Sequence, residues 1–171
     1  MRLDYFMANI LPLKDKLYRF ALCILRNRED AEDIVQDVML KLWNNTIDIA
    51  NVQNSAAYCT VLTKNMALDR LRHKDFNNNR LSPQMNEIAE PDTPLQRMQN
   101  DEQIRLVEQF IACLPTEKRM LIQLRDIEGQ SYKQIAEILD LSESLVKTKL
   151  FRIRQEMKQW FEKINEYEQL P

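Results

Sequence analysis

The chain has 171 residues, of which 44% are hydrophobic and 29% are charged, with a net charge of −2 and a pI near 5.6. This length and apolar content allow one domain or two small ones with real cores, and they exclude disorder throughout. Gly129 is the single glycine and alternating apolar runs are few, which excludes a β-rich or doubly wound fold. We therefore predict an all-α fold.

The cysteines and the single histidine indicate neither a metal site nor a disulfide framework. Cys23, Cys59 and Cys113 are odd in number, widely spaced and without CxxC pairing, and His73 is the only histidine. Each cysteine lies among apolar residues, which predicts small buried hydrophobes in a reducing cytoplasm. No run approaches the ~20 apolar residues of a bilayer span, and no signal peptide is evident. We expect a cytoplasmic protein with no cofactor, no metal and no membrane insertion.

Helical periodicity predicts three helices in the first part of the chain. The first opens after Pro12, closes near Asn27 and has only a core-forming role. Asn27 then caps an acidic helix, and a third helix runs from Ser55 through His73. The outer side of the acidic helix has carboxylates with hydrophobic edges. Such a face is typical of a protein docking surface, although a merely solvated helix face is commoner in general.

The third helix changes character along its length. One stripe begins apolar, where it is expected to pack in the core, and then continues with Asn65, Asp69 and Arg72, followed by a cationic end that includes Lys74. Asn65 and Asp69 either satisfy each other beside the core or contact something outside it. The cations either complement the helix dipole or hold phosphate.

Charge alternates in blocks along the chain. From Arg28 to Thr63 six acidic residues oppose two basic ones, whereas from Lys64 to Arg80 five basic residues oppose two acidic ones. This distribution suits a protein that touches nucleic acid at some places and a basic protein surface at others. Asparagines, prolines and scarce apolar periodicity then predict a linker over 76–97 between two small helical domains, 1–75 and 98–171.

The second domain ends in a candidate helix-turn-helix. A helix around Met98 to Cys113 and another after Pro115, ended by Gly129, precede Ser131, whose capping box with Gln134 begins a short helix. Ala136, a turn at Asp140 and Val146 have the spacing that a helix-turn-helix needs. The last helix offers a basic and hydroxyl-rich face. A plain helical hairpin with a solvated basic face is the alternative.

Three segments, in this order and spacing, resemble one known family: LYRFALCILRNREDAEDIVQDVMLKLW, AYCTVLTKNMALDRLRH and LPTEKRMLIQLRDIEGQSYKQIAEILDLSESLVKTKLFRIRQEM. Together they are similar to bacterial sigma-70 factors of the extracytoplasmic-function (ECF) group. The resemblance implies a region 2 domain over 1–75 and a region 4 domain over 98–171. It also implies a non-enzymatic initiation factor whose partners are core RNA polymerase (the β′ clamp helices and the β flap), promoter DNA and an anti-sigma factor.

The resemblance also implies a role for each matching residue. Polymerase binding falls on Asp30, Asp33, Ile34, Gln36, Asp37, Leu40 and Trp43. Recognition and opening of the −10 element fall on Asn65, Asp69, Arg70, Arg72 and Lys74, with help from the loop 48–54. Recognition of the −35 element falls on Ser142, Ser144, Lys147, Thr148, Phe151 and Arg152.

Two other classes of protein stay open from the residues themselves. A stand-alone helix-turn-helix regulator would bind DNA without polymerase and use the first domain for dimerisation or sensing. An adaptor that binds only proteins is the third class. The acidic helix beside a basic one favours the sigma factor over a regulator, and the basic last helix argues against an adaptor.

Overall fold

The computed structural model of the chain describes residues 2–45, 49–78 and 101–168, and every element in these ranges is helical. The all-α prediction is confirmed. We call 2–78 the first half and 101–168 the second half. The predicted linker lies almost wholly outside the described residues, so its boundaries stay predictions. Within the described ranges, no helix combines the length and the apolar character needed to cross a bilayer.

The first half is built around α1 (Lys14–Leu25), α2 (Arg28–Asn44) and α3 (Ser55–Asn78), which pack against one another. A helical segment over residues 2–13 leads into α1 and was not predicted. α1 ends because Arg26 adopts a left-handed backbone with φ 54°. Asn27 then caps α2 by accepting a hydrogen bond from the Asp30 amide, as the sequence predicted.

α3 is longer than its sequence pattern indicated. The pattern predicted an end at His73, but the helix continues to Asn78, so the last helical turn extends past the predicted domain boundary at residue 75. The inward side of the helix carries small and hydroxylated residues. Thr60 and Thr63 donate to the carbonyls of Ala56 and Cys59 one turn earlier, which satisfies both hydroxyls inside the core.

The second half contains α4 (Asp101–Cys113), α5 (Thr116–Ile122), α6 (Tyr132–Leu139) and α7 (Glu143–Glu168). A π-helical turn, Gln123–Ile127, continues α5. Gly129 ends it with φ 67°, and the Gln130 amide donates to the Leu124 carbonyl, the C-terminal arrangement that the sequence predicted. Apolar positions of α7 face α4, α5 and α6, and form the core of this half: Val146, Leu150 and Ile153, with Met157 and Trp160 half-buried.

The three cysteines differ in exposure, which corrects one sequence prediction. Cys59 is buried and Cys23 is half-buried, whereas Cys113 at the end of α4 is exposed to solvent. Burial raises the pKa of both Cys23 and Cys59 to about 11. The expectation of a buried cysteine is therefore wrong for Cys113, which is the last residue of α4 and faces solvent there.

We expect Cys113 to react with iodoacetamide at pH 8 on the order of a hundredfold faster than Cys23 or Cys59. The thiolate is the reactive form, and a thiol with a pKa near 11 is almost entirely protonated at this pH. Peptide mass spectrometry after timed labelling measures the three rates. Similar rates at all three positions in the folded protein would contradict this expectation, and unfolding in urea should make the rates converge.

Candidate nucleic-acid interface

The helix-turn-helix is formed as its sequence predicted. Ser131 accepts from the Gln134 amide at 3.1 Å, while the Gln134 side chain accepts from the Ser131 amide at 2.9 Å. Asp140 ends α6 in a left-handed conformation with φ 55°. The Ser142 hydroxyl accepts from the Leu145 amide at 3.2 Å and so caps α7. These local bonds fix both helix ends and hence the angle at which α7 leaves the turn.

The outward face of α7 is polar, cationic and open. All of the predicted −35 residues on it are exposed, and Phe151 is 63% exposed: Ser142, Ser144, Lys147, Thr148, Phe151 and Arg152. Ser142 and Ser144 place their hydroxyls 3.2 Å apart, and Thr148 donates to the Ser144 carbonyl. The first turns of α7 therefore present hydroxyls and cations together, a combination that suits phosphates and base edges in a major groove.

Tyr132 supports this face and was missed in the sequence. Its ring lies 4.4 Å from the Arg125 guanidinium carbon and 5.4 Å from the Lys147 ammonium. Cations held over an aromatic ring are partly fixed in position, so Tyr132 restrains one positive charge just before the helix-turn-helix and one on α7. An aromatic residue directly after an N-cap is the signal that could have identified it.

The polar stripe of α3 is also exposed. Asn65, Asp69 and Arg72 recur at helical spacing on one face, and Arg72 donates to Asp69 at 3.3 Å. Arg70 and Lys74 lie on a different side of the helix, because both reach α2 and donate to the Asp30 carboxylate. The predicted −10 set thus divides into an open stripe and two cations that bridge to the neighbouring helix. Asp48 of the predicted loop lies outside the described residues.

The predicted polymerase residues divide in the same way. Asp33, Gln36, Asp37, Leu40 and Trp43 lie on the exposed side of α2, with Leu40 61% exposed. Ile34 is only 2% exposed and belongs to the core, and Asp30 is 8% exposed with its carboxylate bound to Arg70 and Lys74. Neither is available to a partner in this structure. We remove both from the predicted contact surface.

The exposed side of α2 also has an aromatic edge. The Phe6 ring meets Trp43 edge-on with centroids 5.2 Å apart, so the helical segment before α1 packs against the end of α2. Asp33 lies 3.8 Å from Arg70, with 63% of its side chain exposed. The face therefore combines exposed carboxylates with apolar side chains, a combination that suits a protein docking surface.

Comparisons with known proteins agree across both halves. The family model for Sigma-70 region 2 matches residues 10–76, and the model for Sigma-70 region 4 matches residues 104–157. ECF RNA polymerase sigma factor SigL of Mycobacterium tuberculosis is 30% identical over 135 residues, covering 78% of this chain and 76% of that protein. The ECF RNA polymerase sigma-E factor of Haemophilus influenzae is 29% identical over 142 residues, covering 75% of this chain and 73% of that protein. RfaY of Xanthomonas campestris is 28% identical to this chain over the matched residues. RfaY is longer than this chain, and the match covers 34% of its length.

Solved structures show the same fold. Sigma factor RpoE of Bartonella quintana, solved with the anti-sigma factor NepR, matches with a TM-score of 0.76 at 21% identity, over 92% of this chain and 96% of that one. CnrH, solved with the cytosolic domain of CnrY, matches with a TM-score of 0.63 at 20% identity, over 92% of this chain and 87% of that one. The region 2 and region 4 matches and the SigL relationship together identify the chain as a member of the ECF group of sigma-70 RNA polymerase sigma factors.

Proposed function

We propose that the protein binds core RNA polymerase in the cytoplasm and directs it to promoters, with the second half contacting the −35 element and the first half contacting and opening the −10 element. The observation that carries this proposal is the presence of two separate exposed polar faces, one on α7 and one on α3, on a single chain of this family. The protein itself performs no covalent chemistry in this scheme.

The −35 contact would use the exposed face of α7. A helix entering a major groove contacts bases with its N-terminal turns, and these turns hold Ser142, Ser144 and Lys147. Arg152 lies two turns further along, where a guanidinium can pair with a guanine edge. Phe151 can contact a thymine methyl from the same exposed position.

The −10 contact would use the exposed stripe of α3. Asn65 supplies both a donor and acceptors for the edge of an unpaired base, and Arg72 supplies positive charge two turns further along the helix. Unstacking a base costs a few kcal/mol, which such contacts offset. Arg70 and Lys74 contribute positive potential from their places beside Asp30 rather than through free side chains.

The polymerase contact would use the exposed side of α2: Asp33, Gln36, Asp37, Leu40 and Trp43. By the family resemblance, the β′ clamp helices would bind here and the β flap would bind the second half. RpoE and CnrH are each known in complex with a partner, NepR and CnrY respectively. We accordingly propose that an anti-sigma factor of this protein competes for the same surfaces.

In vitro transcription tests the proposed function. Purified core polymerase, with and without the protein, is supplied with candidate promoter DNA, and specific run-off transcripts are scored. We expect transcripts only when the protein is present and only from templates with intact −10 and −35 elements. Specific DNA binding by the free protein without any transcript would overturn the proposal in favour of a stand-alone regulator.

Replacing Asn65 with alanine should reduce open-complex formation about tenfold and leave the affinity for core polymerase unchanged. The change removes a base-edge contact worth roughly 1–3 kcal/mol, and Asn65 is exposed, so the fold loses little. Permanganate footprinting measures strand opening, and a polymerase binding titration measures affinity. An equal loss of both would assign Asn65 a structural role instead.

A further inference from the structure

Phe76 continues the exposed stripe of α3 by one more turn. It follows Asn65, Asp69 and Arg72 at spacings of four, three and four residues, which keep all four side chains on one face of the helix. The sequence pattern ended α3 at His73, and only the additional helical turn in the structure gives Phe76 this direction. The face that carries the polar residues therefore ends in an apolar ring.

Phe76 is also strongly exposed. Its exposed fraction is 66% and that of Phe151 is 63%, the two highest values for large hydrophobic side chains in the part of the chain that the structure describes. Single exposed apolar residues are common, so exposure alone assigns no role. These two residues, however, lie one on each of the two faces that the proposed function directs to DNA. An apolar ring that stays in water contributes little to the stability of the fold.

The end of α3 that carries Phe76 is the upstream end in the proposed complex. The chain leaves α3 after Asn78 and continues through 79–100 to the half that contacts the −35 element. Phe76 lies 11 residues beyond Asn65, which is about 16 Å along a helix. At ~3.4 Å per base pair this distance corresponds to about five base pairs. Phe76 therefore lies upstream of the base at Asn65.

The DNA beside Phe76 is double-stranded in the proposed complex. Opening has to reach the start site, so the opened segment extends downstream from the −10 element and away from Phe76. An α-helix fits the major groove of a duplex, where the apolar group that a base pair presents is the C5-methyl group of thymine. A phenylalanine side chain has no hydrogen-bonding atom, so it distinguishes bases in this groove through that methyl group.

Arg72 supplies a phosphate contact to accompany the apolar one. It lies one turn before Phe76 on the same face, and 77% of its side chain is exposed although it donates to Asp69 at 3.3 Å. Lys74 adds positive charge on the adjoining side of the helix. Phosphate contacts fix the register of a protein on DNA but carry no sequence information, whereas a contact with a base edge does. The end of α3 offers both kinds of contact.

We propose that Phe76 contacts the methyl group of a thymine in the duplex upstream of the opened segment, about five base pairs from the base at Asn65. The contact adds a preference for thymine at one position between the −10 and −35 elements. It rests on the proposed function, and it gives this chain a base preference that Asn65 and the loop before α3 do not supply.

Exchange of thymine for deoxyuridine tests the contact, because it removes the methyl group and leaves base pairing intact. The template is a promoter that supports run-off transcription by polymerase carrying the protein. Thymine or deoxyuridine is placed in turn on either strand at each position of the first helical turn, about 10 base pairs, upstream of the opened segment. We expect deoxyuridine to weaken promoter binding about fourfold at one position, the ratio given by ~0.8 kcal/mol for one buried methyl-sized group. Fluorescence anisotropy measures the affinity.

Phe76→Ala should bind the thymine template at least fourfold more weakly than the parent and should lose nothing further when the methyl group is removed. Phe76→Leu keeps an apolar side chain and should retain part of the methyl dependence. Leu3→Ala is the matched control, because Leu3 is 57% exposed and lies outside α3. It should retain the whole methyl dependence. Circular dichroism confirms that each variant is folded.

The absence of a methyl-dependent position in that turn of DNA, or a methyl dependence that persists in Phe76→Ala, would overturn the contact. Permanganate reactivity of the thymine concerned would also overturn it, since a reactive thymine is unpaired and Phe76 would then stack on the opened strand. Specific transcription by the parent together with any of these results would leave the proposed function intact. If the parent supports no specific transcription from any template, the proposed function fails and the contact fails with it.

Discussion

Reversing the charge of both Asp33 and Asp37, to lysine, is expected to weaken binding to core polymerase by about 2–3 kcal/mol, or roughly 30- to 150-fold. Both carboxylates lie on the exposed side of α2, where reversal would place like charges against a basic partner. Much of the surface is apolar, including Leu40 at 61% exposure, so the salt sensitivity of the remaining binding should change only slightly. Fluorescence anisotropy titration of labelled protein with core polymerase measures the affinity.

The control for this experiment is Glu102→Lys combined with Glu108→Lys. It makes the same change in net charge on exposed positions of α4 and should alter affinity no more than twofold. Unchanged affinity in the α2 variant would show that its acidic side is simply solvated. A loss of equal size in both variants would point to long-range electrostatics rather than to a docking contact.

Replacing Arg152 with alanine is expected to reduce −35-dependent transcription tenfold or more, since a bidentate contact to guanine is worth about 1–3 kcal/mol of discrimination. The side chain is exposed on the outward face of α7. Base preference should relax at one position of the element while neighbouring positions keep theirs. Run-off transcription from templates carrying each substitution in the −35 element measures both the loss and its position.

Arg154 provides a matched control on the same helix. Its guanidinium donates to Asp126 at 2.7 Å, and this bond raises the pKa of Arg154, so the side chain is already engaged within the second half. We expect Arg154→Ala to alter −35-dependent transcription less than twofold. An equal loss of activity in Arg152→Ala and Arg154→Ala, with no change in base preference, would indicate that Arg152 contacts phosphates rather than bases.

Local sequence signals predicted the local structure well. Asn27 and Ser131 each accept a hydrogen bond from a backbone amide three residues on, and Asp140 and Gly129 adopt left-handed conformations, so their types and spacing were sufficient to predict helix ends. The apolar stripe of α7 was predicted for the same reason, because helical periodicity assigns one side to the core. The opposite face of α7 was expected to be exposed for the same reason, and its residues are exposed.

Contacts between residues distant in sequence could not be predicted in the same way. Asp30 carries a carboxylate at the start of an acidic helix, and nothing nearby in the sequence distinguishes it from Asp33. Its burial depends on Arg70 and Lys74, some forty residues later. Arg19, Glu128 and Arg119 likewise find hydrogen-bond partners only where the two halves meet. Their roles depend on tertiary contacts, which composition and periodicity do not reveal.

Asp30 also determines how mechanical load would pass through the first half. In the proposed complex, polymerase would bind α2, while the opened DNA strand would bind α3. Apolar packing alone lets one helix slide along another, but Asp30 cross-links α2 to both Arg70 and Lys74 near the far end of α3. The two ion pairs therefore oppose sliding of α2 along α3, in addition to the apolar packing between the helices.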